Sequence, residues 1–182
     1  MAPSTVSTTK KDVPIKRSKL IRNSTLFLCL IGLCISVFGL YIEIIKSKNK
    51  DYVALCDISG YVTCSRALTS RYAKGFGLVD KIFSNTSILN QPNTVYGMAY
   101  FAFQATLAFN PSSSAAVVQT AFSILANIGS VYLGYILFYI IRDFCVICVS
   151  TYVVNFLMLL VLLVKLKNSV AEDIRKTIRK KK

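Results

Sequence analysis

The sequence predicts an all-α integral membrane protein, a four-helix bundle whose first two helices are joined by a long polar loop carrying a cysteine pair. Three observations predict it. Hydrophobic residues make up 54% of the 182-residue chain and mean hydropathy is +0.54, too apolar for an ordinary water-soluble domain of this size. Four runs reach or approach the ~20 apolar residues needed to cross a hydrocarbon core: Ser24–Ile45, Thr94–Phe109, Ser114–Ile141 and Phe144–Val164. The polar residues between these runs are concentrated in one stretch, 46–92.

Residues 1–23 mix Lys10, Lys11, Lys16, Arg17, Lys19 and Arg22 with Pro, Ser and Thr, the composition of a solvated basic tail. The first apolar run follows a longer polar stretch than a cleavable signal has, and no clear Ala-x-Ala site follows it, so it is expected to stay as an anchor. Cys29 and Cys34 inside it read as small packing residues. In the loop, residues 75–83 alternate apolar and polar after two glycines. They suit either a packed loop or a short interfacial element anchored by Phe76, Leu78, Ile82 and Phe83. Pro92 precedes the second helix, which Asn93 or Thr94 can cap. The third run is long enough to tilt, and only Arg142-Asp143 separates it from the fourth. Residues 24–166 thus form one transmembrane domain between basic tails, the second at 167–182.

The net charge of +14 does not point to nucleic acid, because the basic residues gather in the tails and the loop and not along one face with interleaved aromatics. They read as topology determinants and as contacts to the anionic headgroups of membrane lipids. Four spans place both tails on one side, and fourteen of the 22 Lys/Arg residues make that side the cytosol. Cys56 and Cys64 then face an oxidising lumen, where a disulfide is useful, and the endoplasmic reticulum fits. Asn85-Thr86-Ser87 becomes a possible lumenal glycosylation site, whereas Asn23-Ser24-Thr25 stays cytosolic. The terminal Arg179-Lys180-Lys181-Lys182 resembles a retrieval signal of resident membrane proteins of that compartment.

The chemistry lies in Phe144-Cys145-Val146-Ile147-Cys148. Two thiols three residues apart form a redox pair or half of a metal site. The chain has no histidine, so the commonest metal ligand is missing. A zinc site built from Cys56, Cys64, Cys145 and Cys148 would need an unusual loop spacing and would compete with disulfide formation; no metal is expected. With Asp143 as N-cap, Cys145 would occupy the first turn of a helix, where the positive end of the dipole favours a thiolate. At about 100° per residue, Tyr152 projects within roughly 60° of both cysteines, and Asn155 lies a turn further on. Polar groups at that depth are candidates for function, although Tyr152 could be ordinary packing and Asn155 or Asn127 interhelical glue.

Several strings resemble the vitamin K epoxide reductase family: Ala54-Leu55-Cys56-Asp57, Cys64-Ser65-Arg66-Ala67-Leu68, Gly75-Phe76-Gly77-Leu78, Leu89-Asn90-Gln91-Pro92-Asn93, Gly129-Ser130-Val131-Tyr132-Leu133 and Phe144-Cys145 through Tyr152, in the family's order and spacing. The resemblance implies an endoplasmic reticulum enzyme that reduces vitamin K 2,3-epoxide to the quinone, and usually the quinone to hydroquinone, with no tightly bound cofactor. It makes Cys145 and Cys148 the catalytic dithiol. Cys56 and Cys64 become a relay taking electrons from lumenal thioredoxin-like proteins. Asn93 and Tyr152 would hydrogen-bond the substrate oxygens, while Phe76, Tyr96 and Leu133 line its apolar pocket. Leu68, Tyr72 and Met98 depart from residues found in particular branches. Two alternatives are a quinone-driven oxidase running the same relay backward and a non-enzymatic tetraspan scaffold.

Overall fold

The computed structural model describes residues 12–58, 60, 62–79 and 90–180. Among these residues the chain is helical and has no strand; one isolated bridge pairs Lys74 with Pro92. Helix α1 spans Asp12–Lys48 and is followed by a short α2, Cys64–Thr69, and two 3-10 turns, Arg71–Ala73 and Gly75–Gly77. Then come α3 (Asn93–Ala108), α4 (Ser113–Tyr135, continuing as a π-helical turn over Ile136–Ile141) and α5 (Val146–Lys180).

Three segments are long and apolar enough to cross a membrane: Ser18–Lys48, Ser113–Ile141 and Val146–Arg179. Their outward faces carry Phe27, Leu30, Phe38, Ile128, Phe156 and Leu160, all exposed. A belt of that size belongs in lipid and not in water. The chain is therefore built as a multi-pass membrane protein. Helix α3, with 16 residues, rises about 24 Å and falls short of the ~30 Å core. Both α1 and α5 run past their apolar segments, into residues read from sequence as tails. Lys, Arg and Glu are good helix formers, so apolar runs mark the lipid-facing part of a helix and not its ends.

Small residues let α1 and α3 approach closely. A Cβ on Gly32 would overlap the Phe101 ring, and one on Gly97 would lie 2.8 Å from Ser36 Oγ. This is the spacing of small residues that membrane helices use in place of a hydrophobic driving force. Phe101 then fills an apolar cluster with Cys29 of α1 and Val154, Met158 and Leu162 of α5. Helices α4 and α5 are joined by polar contacts: Asn127 Nδ2 donates to the Asn155 carbonyl at 3.0 Å, and Asn155 Nδ2 to Ser130 Oγ at 2.9 Å. Gln104 of α3 and Gln119 of α4 exchange amide-to-carbonyl bonds at 3.0 and 2.9 Å, and Lys165 of α5 donates to Gln119 Oε1 at 2.6 Å. Cys29 is buried and Cys34 is exposed on the outer face; both are free thiols.

Candidate active site

The turn between α4 and α5 sets the site. The π-helical turn ends at Arg142, which is left-handed at φ 58°, and the chain then re-enters a helix at Val146. Asp143 does not cap this helix as the sequence predicts. Its buried carboxylate instead takes two hydrogen bonds from Arg66 Nη1 of α2, at 3.3 and 3.2 Å. Cys145 holds the cap position: its carbonyl accepts from the Val149 N–H at 3.0 Å, and its Sγ accepts from the Cys148 N–H at 3.2 Å. The ionic contact overrides the cap preference because a long-range partner satisfies Asp143 more fully than a neighbouring amide can. The sulfur still sits where the helix start presents its N–H groups.

Cys145 and Cys148 are disulfide-bonded, with Cα atoms 5.3 Å apart, and so are Cys56 and Cys64, at 5.8 Å. Both pairs contribute to one apolar cluster with Ile42, Ala67, Leu68, Leu137 and Ile147. Cys64 opens α2 and is fully buried. The segment bearing the loop pair is clasped by Asp57, whose carboxylate accepts from Ser65 Oγ (2.6 Å), Ser65 N (3.0 Å) and Ala54 N (3.1 Å). Partial burial pushes the Asp57 carboxyl up, but the bonds from Ser65, Ala54 and Cys64 outweigh it and hold it below the usual aspartate range. The clasp is thus present at neutral pH and is lost as pH falls through that lowered value. Asp57→Ala is expected to weaken it by roughly 2 kcal/mol, seen as faster hydrogen exchange of amides 54–65 at neutral pH; the wild-type chain should show the same loosening only in strong acid.

A cavity of about 580 Å³ opens beside the Cys145–Cys148 disulfide, within the range of small-molecule sites. Cys148 is on its wall, whereas Cys145 is fully buried behind it. Tyr152 and Asn155 line it further along α5, as the helical periodicity predicts. Among the described residues the Tyr152 hydroxyl has no hydrogen-bond partner. Phe76, Tyr96 and Leu133 also line it; the Phe76 and Tyr96 rings lie 5.5 Å apart, tilted by 36°. Phe76 therefore faces the cavity and is not an outward anchor, while Leu78 is exposed. Ile82, Phe83 and Asn85 lie outside the described residues.

Asn93 lines the same cavity but does not cap α3; Pro92 holds that position. Its carboxamide ties down the preceding loop, with Oδ1 accepting from the Phe76 N–H at 2.9 Å and Nδ2 donating to the Tyr72 carbonyl at 2.7 Å. The turn needs such a tie because Gly75, Phe76 and Gly77 are all left-handed, at φ 51°, 58° and 67°. For Phe76 that conformation costs about 1–3 kcal/mol. Sequence reasoning missed three features: the Arg66–Asp143 pair, the Asp57 clasp, and Glu43, a buried carboxylate on the cavity wall. Only Glu43 left a visible signal, as the one acidic residue inside an apolar run.

Fold and site together define a membrane protein in which, of the two disulfides among the described residues, one opens on an apolar cavity. The profile described as "Vitamin K epoxide reductase family" matches residues 24–163. The chain is 38% identical over 130 residues to a rat protein named vitamin K epoxide reductase complex subunit 1, covering 71% of this chain and 81% of that one. It is 37% identical to the mouse protein of the same name over the same length and shares. The chain belongs to the vitamin K epoxide reductase family.

Proposed function

We propose that this chain reduces vitamin K 2,3-epoxide to the quinone, and the quinone to hydroquinone, using the Cys145/Cys148 pair as its two-electron donor. The observation that carries the reading is the position of Cys148 on the wall of an apolar cavity, with Cys145 bonded behind it. In the reduced state the Cys148 sulfur attacks the ring, the epoxide C–O bond opens, and Cys145 then attacks Cys148 to form the disulfide. The two thiol protons leave with the epoxide oxygen as water, so electrons and atoms balance without a tightly bound cofactor.

Tyr152 and Asn93 supply hydrogen bonds to the substrate oxygens. Tyr152 brings a hydroxyl with no partner among the described residues, and Asn93 keeps one Nδ2 hydrogen beyond its bond to Tyr72. Tyr152→Phe should lower turnover by about 10²-fold with little change in apparent affinity, since charge grows on the oxygen only as the ring accepts electrons. An unchanged kcat would leave Tyr152 as pocket lining.

In this reading α3 completes a four-helix transmembrane bundle, with its short length offset by a locally thinned or shielded bilayer. The cysteine end faces the lumen of the endoplasmic reticulum and both basic termini face the cytosol, in contact with anionic lipids. Cys56 and Cys64 take electrons from lumenal thioredoxin-like proteins and pass them to Cys145/Cys148. The test is steady-state turnover of purified protein with vitamin K epoxide and a small dithiol, scored by product. Quinone and hydroquinone are the expected products; dithiol consumption without either would reject the reading.

A further inference from the structure

Glu43 is 6% exposed, sits on α1 near the cysteine end, and takes no part in the steps above. Its Oε2 lies 3.5 Å from the Thr94 hydroxyl, next in chain to Asn93, and its Oε1 has no hydrogen-bond partner. It is also shared between two spaces. On one side it lines the apolar cavity with Cys148 and Tyr152. On the other it lines a second cavity, of about 490 Å³, bordered by Lys46, Lys50 and Lys74. A buried carboxyl with an uncommitted oxygen in the partition between an apolar chamber and one bordered by lysines is placed to carry protons and not to hold structure.

We propose that Glu43 is the general acid of the site, delivering a proton from the lysine-bordered vestibule to the substrate oxygen released or reduced in the cavity. The proposal rests on the function proposed above. As the Cys148 sulfur bonds to the ring, the electron pair moves onto the oxygen, and the Glu43 O–H bond breaks to protonate it. The carboxylate left behind regains one proton from the vestibule, and the proton that Cys148 loses on ionising returns to bulk water, so the overall balance of two thiol protons per substrate is unchanged. Thr94 orients the carboxyl without being able to replace it, because a hydroxyl is too weak an acid for the transfer.

The test uses the full chain in lipid nanodiscs. Glu43→Gln keeps the size and the Thr94 contact but has no transferable proton; its kcat with vitamin K epoxide is expected to fall about 10²-fold with KM little changed. Glu43→Asp should recover part of that loss. The rate at which a small dithiol reduces the Cys145–Cys148 disulfide should match wild type in both variants, because that exchange needs no substrate protonation. Wild-type protein should also show an infrared carboxylic-acid band that shifts in heavy water and is absent from Glu43→Gln, a readout that needs no turnover. Full turnover by Glu43→Gln, or equal loss of turnover and of disulfide reduction in both variants, would overturn the proposal, as would a missing carboxylic-acid band in wild type. A wild-type chain that shows the band yet turns over no epoxide would defeat the function reading, and this one with it.

Discussion

Replacing Cys148 with Ser is expected to reduce epoxide turnover to background, a loss on the order of 10³-fold or more, even with saturating small dithiol. Cys148 is the sulfur on the cavity wall, so it alone can meet the ring. A hydroxyl in its place is a far weaker nucleophile at neutral pH. Cys145→Ser should be equally inactive in turnover but by a different route. With Cys148 intact the first bond can form but the partner thiol that releases it is missing, so a covalent adduct of Cys148 and the naphthoquinone ring should accumulate and be visible by intact mass once the dithiol is removed. Stability should change little in either variant, because the Cys145–Cys148 disulfide that both lose spans only three residues of sequence and constrains the unfolded chain little. Substantial turnover by either variant would show that the pair does not act as a unit.

The second large effect concerns the loop pair. With a thioredoxin-like protein as donor, Cys56→Ser and Cys64→Ser should each abolish steady-state turnover; with a small membrane-permeant dithiol, most activity should remain. The two disulfides share one apolar cluster, and the Arg66–Asp143 contact ties the helix that begins at Cys64 to the turn that precedes Cys145. A large protein donor has no route to the fully buried Cys145, whereas a small dithiol can enter by the cavity that Cys148 lines. Equal loss with both donors would make Cys56–Cys64 a structural staple.

How much of this was legible in the sequence depends on the range of the interaction involved. Helices α1, α4 and α5 stand out because contiguous apolar side chains report directly on lipid exposure. The alignment of Cys148, Tyr152 and Asn155 on one wall follows from helical periodicity alone. The start of α1 at Asp12, inside the basic stretch read as a solvated tail, is not legible because basic residues continue a helix beyond its apolar run, whereas the polar stretch after Lys165 can be read as an amphipathic helix and is helical to Lys180. Asp143 was misassigned because its true partner, Arg66, is 77 residues away in sequence and no local rule can see it. Asn93 reads locally as a cap and in space as the tie that holds a strained turn at Phe76. Glu43 disappears into the average of an apolar segment, although a single carboxylate there is costly enough to require a reason.

The most direct measurement is a single turnover without any external donor. Cys56→Ser/Cys64→Ser protein, reduced at Cys145 and Cys148, freed of dithiol and mixed with one equivalent of vitamin K epoxide, should form close to one equivalent of quinone. Mass mapping after rapid alkylation should then find Cys145 joined to Cys148. In wild type reduced at all four cysteines the loop pair recharges the other, so a Cys56–Cys64 disulfide should form as well or instead, with hydroquinone wherever both pairs are consumed. Quinone formation by the double variant with Cys145 and Cys148 still alkylated, or no quinone from its reduced form, would contradict the assignment of this pair as the electron donor.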